Sequence, residues 1–289
     1  MSLTESFTFK LGDSGIVLNT DSIGLPFFDI NRVTGLSNAP YRETERDHEG
    51  QDGGFIDAEF EKGRHIVIEG TAYADALTME SYLDTLKANY APSTSLVPLY
   101  FLAPGRPERL LFVKPLGVSY DWDMFRRIGT ANAQIRMFAE DPRIYDSTEQ
   151  SHTTNLTDVV TSDFGFSLGF SFGFGTTTAV QNGITVTNSG NRSTPATFTI
   201  TGPVTDPQIV NDATGQRLKF SSITLTALET LVVNTYYRTA RLNGTSNRRN
   251  NLVQADWFNL EPGETSIRFQ AASSDPSATL NIKFRNAWR

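Results

Sequence analysis

The chain has 289 residues, enough for two ordinary domains, because a single core usually stops growing at roughly 250 to 300 residues. With 38% hydrophobic and 20% charged residues, including 20 Phe, it has the means to bury real cores and is not a disordered polymer. It has no cysteine, which excludes disulfides, thiol catalysis and thiolate metal sites, and its net charge of -7 lacks the basic footprint of a nucleic-acid binder.

In the first half, residues 5–11 alternate with Phe7, Phe9 and Leu11 on one face, and residues 64–70 place Ile66 and Ile68 together; both have strand period. Between Asp75 and Tyr90 the positions Met79, Tyr82, Leu83, Leu86 and Tyr90 follow helical spacing, with Thr78 or Asp75 as N-cap and Pro92 past the end. Strands resume at 96–102, 110–113, 118–121 and 131–139, separated by Pro-Gly and Lys-Pro turn signals. The stretch 96–103 is the longest apolar one, well short of the roughly 18 residues of a membrane span, so no membrane span is predicted. The first ten residues have no basic region followed by an apolar one, so no secretory signal is predicted either.

Composition changes near residue 146. Residues 1–145 hold 14 basic and 21 acidic side chains and 10 threonines, while residues 146–289 hold 11 of each charge and 24 threonines. A boundary falls there, with the hinge between Asp146 and Gly183. Within it, Phe164, Phe166, Phe170, Phe172 and Phe174 recur with a two-residue period, so an extended strand would carry its rings on one face. Two readings stand: a connecting strand packed on its own chain, or a surface covered only in an oligomer. Beyond Gly183, nine short strand patterns broken by turns predict a β-sandwich without helix, the clearest being Ala278, Leu280, Ile282 and Phe284 inward against Thr279, Asn281 and Lys283 outward.

Chemistry has no visible anchor. His48, His65 and His152 show no metal-ligand spacing, and no nucleophile, phosphate-loop or dinucleotide motif occurs, so no catalytic residue, metal site or cofactor is predicted. Asp121 and Asp123 read as the outward face of a strand rather than a glycosidase pair, and the acidic loop 45–54 as a solvated, glycine-hinged loop rather than a calcium site. Arg238, Arg241, Arg248 and Arg249 form a basic stretch with no acidic residue between Thr230 and Ala255, either a solvated loop or a hairpin that docks an acidic neighbour. Trp122, Trp257 and Trp288 are candidates for stacking on sugar rings, but Trp257 lies just before a strand and Trp288 just after one, where tryptophans more often plug the ends of a sandwich.

Taken together, the early strand, the loop EGQDGGFID (residues 49–57), GRHIVIEG (63–70), the following helix, AQIRMFAEDPRIY (133–145), SGNRSTPATFTITGPVTDPQIVNDATGQRL (189–218), RLNGTS (241–246) and WFNLEPGETSIRF (257–269), ending at Trp288, resemble the distal tail proteins of long-tailed phages. The resemblance implies a mainly β protein: a ring-forming N-terminal β-sandwich with one helix over residues 1–147, a polar and Phe/Gly-rich connector over 148–180, and a galectin-like or jelly-roll C-terminal β-sandwich over 181–289. It implies a structural virion protein made in the host cytoplasm, a commonly hexameric ring that links the tail tube protein to the tail tip or tail-associated hub protein and the adsorption apparatus. A receptor-binding protein or a host glycan is a further partner on this reading. The longer acidic loop before GGFID and the Phe-Gly tract depart from the family pattern. A carbohydrate-binding adsorption module that contacts host cell-surface glycans is the alternative from another class.

Overall fold

The computed structural model describes residues 3–20, 24–37, 39–42, 45–56, 60–156, 158–159, 183–274 and 277–289. The described chain falls into two units, Met1–Ser147 with Trp288–Arg289, and Thr148–Ala287. The phenylalanine tract, with Phe164, Phe166, Phe170, Phe172 and Phe174, lies outside the described residues.

In the first unit the strands are β1 (Thr8–Leu11), β2 (Val17–Leu18), β3 (Phe27–Thr34), β4 (Arg64–Tyr73), β5 (Val97–Leu102), β6 (Arg109–Tyr120), β7 (Thr130–Ala139) and β8 (Ile144–Asp146). They run in the order β2-β1-β5-β6-β7-β4-β3, with β8 also on β6. The ends of this order meet at Asn19, whose N–H donates to the Phe28 carbonyl at 2.8 Å and whose side-chain oxygen accepts from the Ile30 N–H at 3.1 Å. β6 is the pivot. It pairs with β5 from Arg109 to Val113 and with β7 from Lys114 to Tyr120, and its register shifts between Pro115 and Gly117, where Gly117 has φ 116°. The Lys-Pro signal expected to separate two strands therefore marks a bulge, which bends β6 without breaking it.

The helix α1 (Met79–Asn89) closes one side of this sheet with Met79, Tyr82, Leu83 and Leu86 buried, as their three- and four-residue spacing requires. Thr78 occupies the N-cap, but its side chain makes no cap bond; the first turn is instead held by Thr78 and Met79 N–H groups on the Asp75 carbonyl, both at 2.9 Å. Complete burial of Leu83 and Leu86 contributes roughly 1.5–3 kcal/mol each. Phe9 and Leu11 are buried as their alternation predicts, whereas Phe7 has φ 60° and is partly exposed, so the strand begins one residue after it. The acidic loop forms two short ladders, Glu45–Asp47 with Gly54–Ile56 and Tyr41–Arg42 with Phe60–Glu61. Trp288 belongs to this unit: it donates from Nε1 to Asp146 Oδ1 at 2.9 Å, and the Arg109 guanidinium lies 4.1 Å from its ring centre.

Three tyrosines of this unit titrate abnormally. Burial pushes Tyr82 up to about 12; Tyr90 is raised further by burial and then by Tyr82, and Tyr145 by burial and then by Asp141, to which its hydroxyl donates at 2.6 Å. Phenols that ionise less readily when folded stabilise the fold fully below the ordinary tyrosine value near 10, and that contribution is lost as pH rises from there. Absorbance at 295 nm is expected to show these tyrosines ionising only together with unfolding of the first unit; their titration near pH 10 in a chain that keeps its circular dichroism would contradict their burial.

The second unit has β9 (Gln150–Asn155), β10 (Ile184–Asn188), β11 (Ala196–Thr201), β12 (Gln208–Asn211), β13 (Arg217–Phe220), β14 (Thr230–Asn234), β15 (Thr239–Leu242), β16 (Ser246–Asn247), β17 (Leu252–Ala255), β18 (Gly263–Ala271) and β19 (Thr279–Phe284). One sheet runs β9-β19-β11-β14-β15-β16; the other contains β18-β12-β13-β17, with β10 and Asp158–Val159 also on β18. Their apolar faces form one core, Phe198, Phe220, Phe269 and Ile282 among its fully buried members, with Trp257 packed on it. Residues 150–155, expected as connector, form an edge strand paired with β19 over its full length. The polar QSHTTN carries no apolar period, so nothing in its composition distinguishes it from a linker.

A clasp explains the SGNRSTP segment. Asn188 is buried; its Nδ2 donates to the Arg192 carbonyl at 2.7 Å and the Leu260 carbonyl at 3.2 Å, while its Oδ1 accepts from Gly190 N–H at 3.0 Å and Ala287 N–H at 3.4 Å. Thr194, also buried, donates from Oγ1 to the Arg285 carbonyl at 2.7 Å.

Candidate interaction surface

The connection between β6 and β7, residues 121–129, exposes a run of large apolar side chains on the first unit. Asp123 is the N-cap of a 3-10 turn, Met124–Ile128, and accepts from the Phe125 N–H at 3.1 Å. It is thus a turn-former, not the outward strand residue that its spacing from Asp121 predicted. Gly129 ends the turn at φ 83°, a left-handed conformation that a side chain would strain, and its carbonyl accepts from Ala74 N–H at 3.0 Å.

One residue of the turn faces inward. Arg126 is buried, donates from Nη2 to Glu80 Oε2 at 3.0 Å, and sets its guanidinium 3.8 Å from the Trp122 ring centre and 4.9 Å from that of Tyr120. The Lys87 ammonium lies 4.6 Å from the same Tyr120 ring, and its pKa is raised first by that residue's hydrogen bond. The turn is therefore pinned to α1 by cations on aromatic faces. What it presents to water is apolar: Trp122 is 80% exposed, Met124 77%, Phe125 54% and Ile128 73%. Leu77, on the neighbouring turn before α1, is 98% exposed. Single exposed apolar residues are ordinary, but five large ones on two adjoining turns are the mark of a contact surface.

Beside this knuckle lies an open groove of about 390 Å³ lined by Asn31, Glu69, Tyr120, Asp121, Asn132 and Gln134. Gln134 donates to Glu69 Oε1 at 3.1 Å, and Thr71 to Asn132 Oδ1 at 3.2 Å, so its floor is a hydrogen-bonded polar ladder. No group of three His, Asp or Glu side chains that could hold a metal ion occurs there or elsewhere among the described residues. Tyr41, Phe55 and Phe60 on the acidic loop are exposed as well.

The predicted arginines lie on the second unit. Arg238, at φ 52°, is in the β14–β15 turn; Arg241 is in β15; Arg248 donates its backbone N–H to the Ala240 carbonyl at 2.8 Å; Arg249 reaches the Trp257 ring, 5.9 Å away. All four thus gather around β15. Glu229, at the approach to β14, has its pKa lowered first by the Thr226 N–H and hydroxyl and then by Arg248. Of the tryptophans, Trp257 and Trp288 are partly buried against the two cores, and Trp122 is the exposed one. Sequence periodicity does not reveal the knuckle. Its signal is the cluster Trp122, Met124, Phe125 and Ile128 between Asp121 and Gly129, too short and irregular for a strand that buries them.

Residues 189–288 match the family described as siphovirus-type tail component, C-terminal domain. The crystal structure of SPP1 Dit (gp 19.1), described as a paradigm of hub adsorption apparatus in Gram-positive infecting phages, aligns over 99% of this chain and 100% of its own at 17% identity and TM-score 0.66. Chains of the phage P2 baseplate in its activated conformation, with Ca and with Sr, align over 96% of this chain and 98% of theirs at 12% identity and TM-score 0.49. No curated protein matches by sequence. The resemblance to distal tail proteins is borne out, and the mainly β fold is that of the SPP1 protein.

Proposed function

We propose, from the match of residues 189–288 to the siphovirus-type tail component family, that this chain is the distal tail ring of a long-tailed phage virion. It links the tail tube protein to the tail tip or tail-associated hub protein and the adsorption apparatus, as a homo-oligomer of six copies, with no catalytic role. The observation that carries the ring is the knuckle at residues 121–129: a closed ring needs two different patches on every copy, and a rigid apolar projection supplies one. The excess negative charge of residues 1–145 opposes packing acidic copies together, so the acidic loop is placed at the rim or against a basic surface of a neighbouring copy or of the tube. The second unit is directed to the adsorption side, where a receptor-binding protein or a host glycan is its partner. Synthesis in the host cytoplasm and incorporation into the virion follow from this role.

Because the chain has no cysteine, Ile128→Cys gives a single thiol on the knuckle. A maleimide reagent is expected to label it at least about tenfold more slowly in the assembled oligomer than in dilute monomer, since a buried interface residue reacts only when the contact opens. Equal rates in both would remove the knuckle from the interface.

A further inference from the structure

The sheet β9-β19-β11-β14-β15-β16 has one face in the core and one in water. Phe198, Ile200, Leu231, Val233, Leu280 and Ile282 are fully buried, so their alternating neighbours share the outer face. The register places these neighbours in rows. One reads Thr153, Asn281, Thr199, Val232, Arg241 and Asn247 across the six strands. The next reads Ser151, Lys283, Thr197, Asn234 and Thr239, and a third Asn155, Thr279, Thr201 and Thr230. All are half-buried or exposed. Val232 is the single apolar member, Arg241 and Lys283 are the two cations, and no carboxylate stands on any of the three rows.

Two amides fix the hydroxyls. Asn281 Nδ2 donates to Ser151 Oγ at 2.9 Å and Thr153 Oγ1 at 2.8 Å, and Asn234 Nδ2 donates to Thr197 Oγ1 at 3.1 Å. An oxygen that accepts from an amide keeps its own O–H proton to donate outward, so the rows offer donors and acceptors at strand spacing. Arg241 on β15 and Lys283 on β19 are three strand spacings and one row apart, about 16 Å, which suits charges repeated along a polymer better than one small anion.

We infer that this face binds a phosphate-bearing carbohydrate polymer of a bacterial cell surface, its hydroxyls on the Thr and Asn rows and its phosphates on Arg241 and Lys283. The inference deepens the host-glycan reading of the second unit. A protein partner would find almost no apolar surface here, and a nucleic acid would find too few cations and no stacking platform on the rows. An acid-free, cation-bearing face in a chain of net charge -7 selects an anion, and the hydroxyl rows select one that carries hydroxyls.

The test is binding of the full chain to immobilised poly(glycerol phosphate), with dextran and oligothymidylate as comparison probes. Binding to poly(glycerol phosphate) is expected, stronger than to either comparison probe. Arg241→Glu with Lys283→Glu should weaken it about tenfold or more. Thr199→Val with Thr201→Val, which keeps shape and charge, should weaken it severalfold at unchanged salt dependence. Absence of binding, equal affinity for oligothymidylate, or indifference to both pairs of substitutions would overturn the inference. Oligomer mass is read separately, so a failure here is distinguishable from a failure of the ring assignment.

Discussion

Replacing Phe125 and Ile128 together by aspartate should abolish self-assembly while leaving the fold intact. Both side chains are mostly in water in the isolated chain, and neither belongs to the first unit's core, so the folded monomer loses little. In an assembly that covers the knuckle they would be dehydrated. Full burial of a large apolar side chain contributes roughly 1.5–3 kcal/mol; Phe125 is 54% and Ile128 73% exposed in the free chain, so losing both weakens each contact by about 2–4 kcal/mol, a factor of tens to hundreds in dissociation constant. Two buried carboxylates without partners add to that cost. Light scattering should then report monomer where the unsubstituted chain is assembled, with superimposable circular dichroism spectra showing that the fold is kept. An assembled double variant would show that the exposed rings serve something else.

Asn188→Ala is expected to be the most damaging single polar substitution in the second unit. The side chain satisfies two carbonyls and two N–H groups from residues 190, 192, 260 and 287, all from a buried position. Each buried backbone group left without a partner costs about 1–3 kcal/mol, and partial rearrangement at the turn recovers some of that. A net loss of roughly 3–5 kcal/mol follows, about 10 °C in melting temperature for a unit of this size. Thermal unfolding followed by circular dichroism measures it, and a shift of no more than about 2 °C would mean that water replaces the amide.

The elements readable in the sequence are those whose own side chains fill a core. The helix α1 announces itself because Met79, Tyr82, Leu83 and Leu86 must share one face to be buried, and β19 because Leu280 and Ile282 alternate with polar neighbours. What escaped depends on other segments. The strand β9 is polar and exists because β19 offers it a complete ladder, and the continuity of β6 through Pro115 and Gly117 depends on a bulge that changes its partner from β5 to β7. The return of Trp288 to Asp146 joins residues 142 positions apart, which no local period encodes. At the candidate surfaces the split is the same: the arginines around β15 are legible as an acid-free run, but the knuckle is visible only once Arg126 is seen folded inward beneath Trp122. The Thr and Asn rows require the register, because the residues of one row come from six separated segments.

If the first unit closes into the proposed ring, light-scattering mass of the full chain, purified alone and with a tail tube protein as the proposed partner, should give one species at six times the 32.0 kDa chain mass, reduced to a single chain by the aspartate pair at positions 125 and 128. A chain that remains monomeric up to its solubility limit with the tube protein present, or an oligomer that the aspartate pair leaves unchanged, would contradict it.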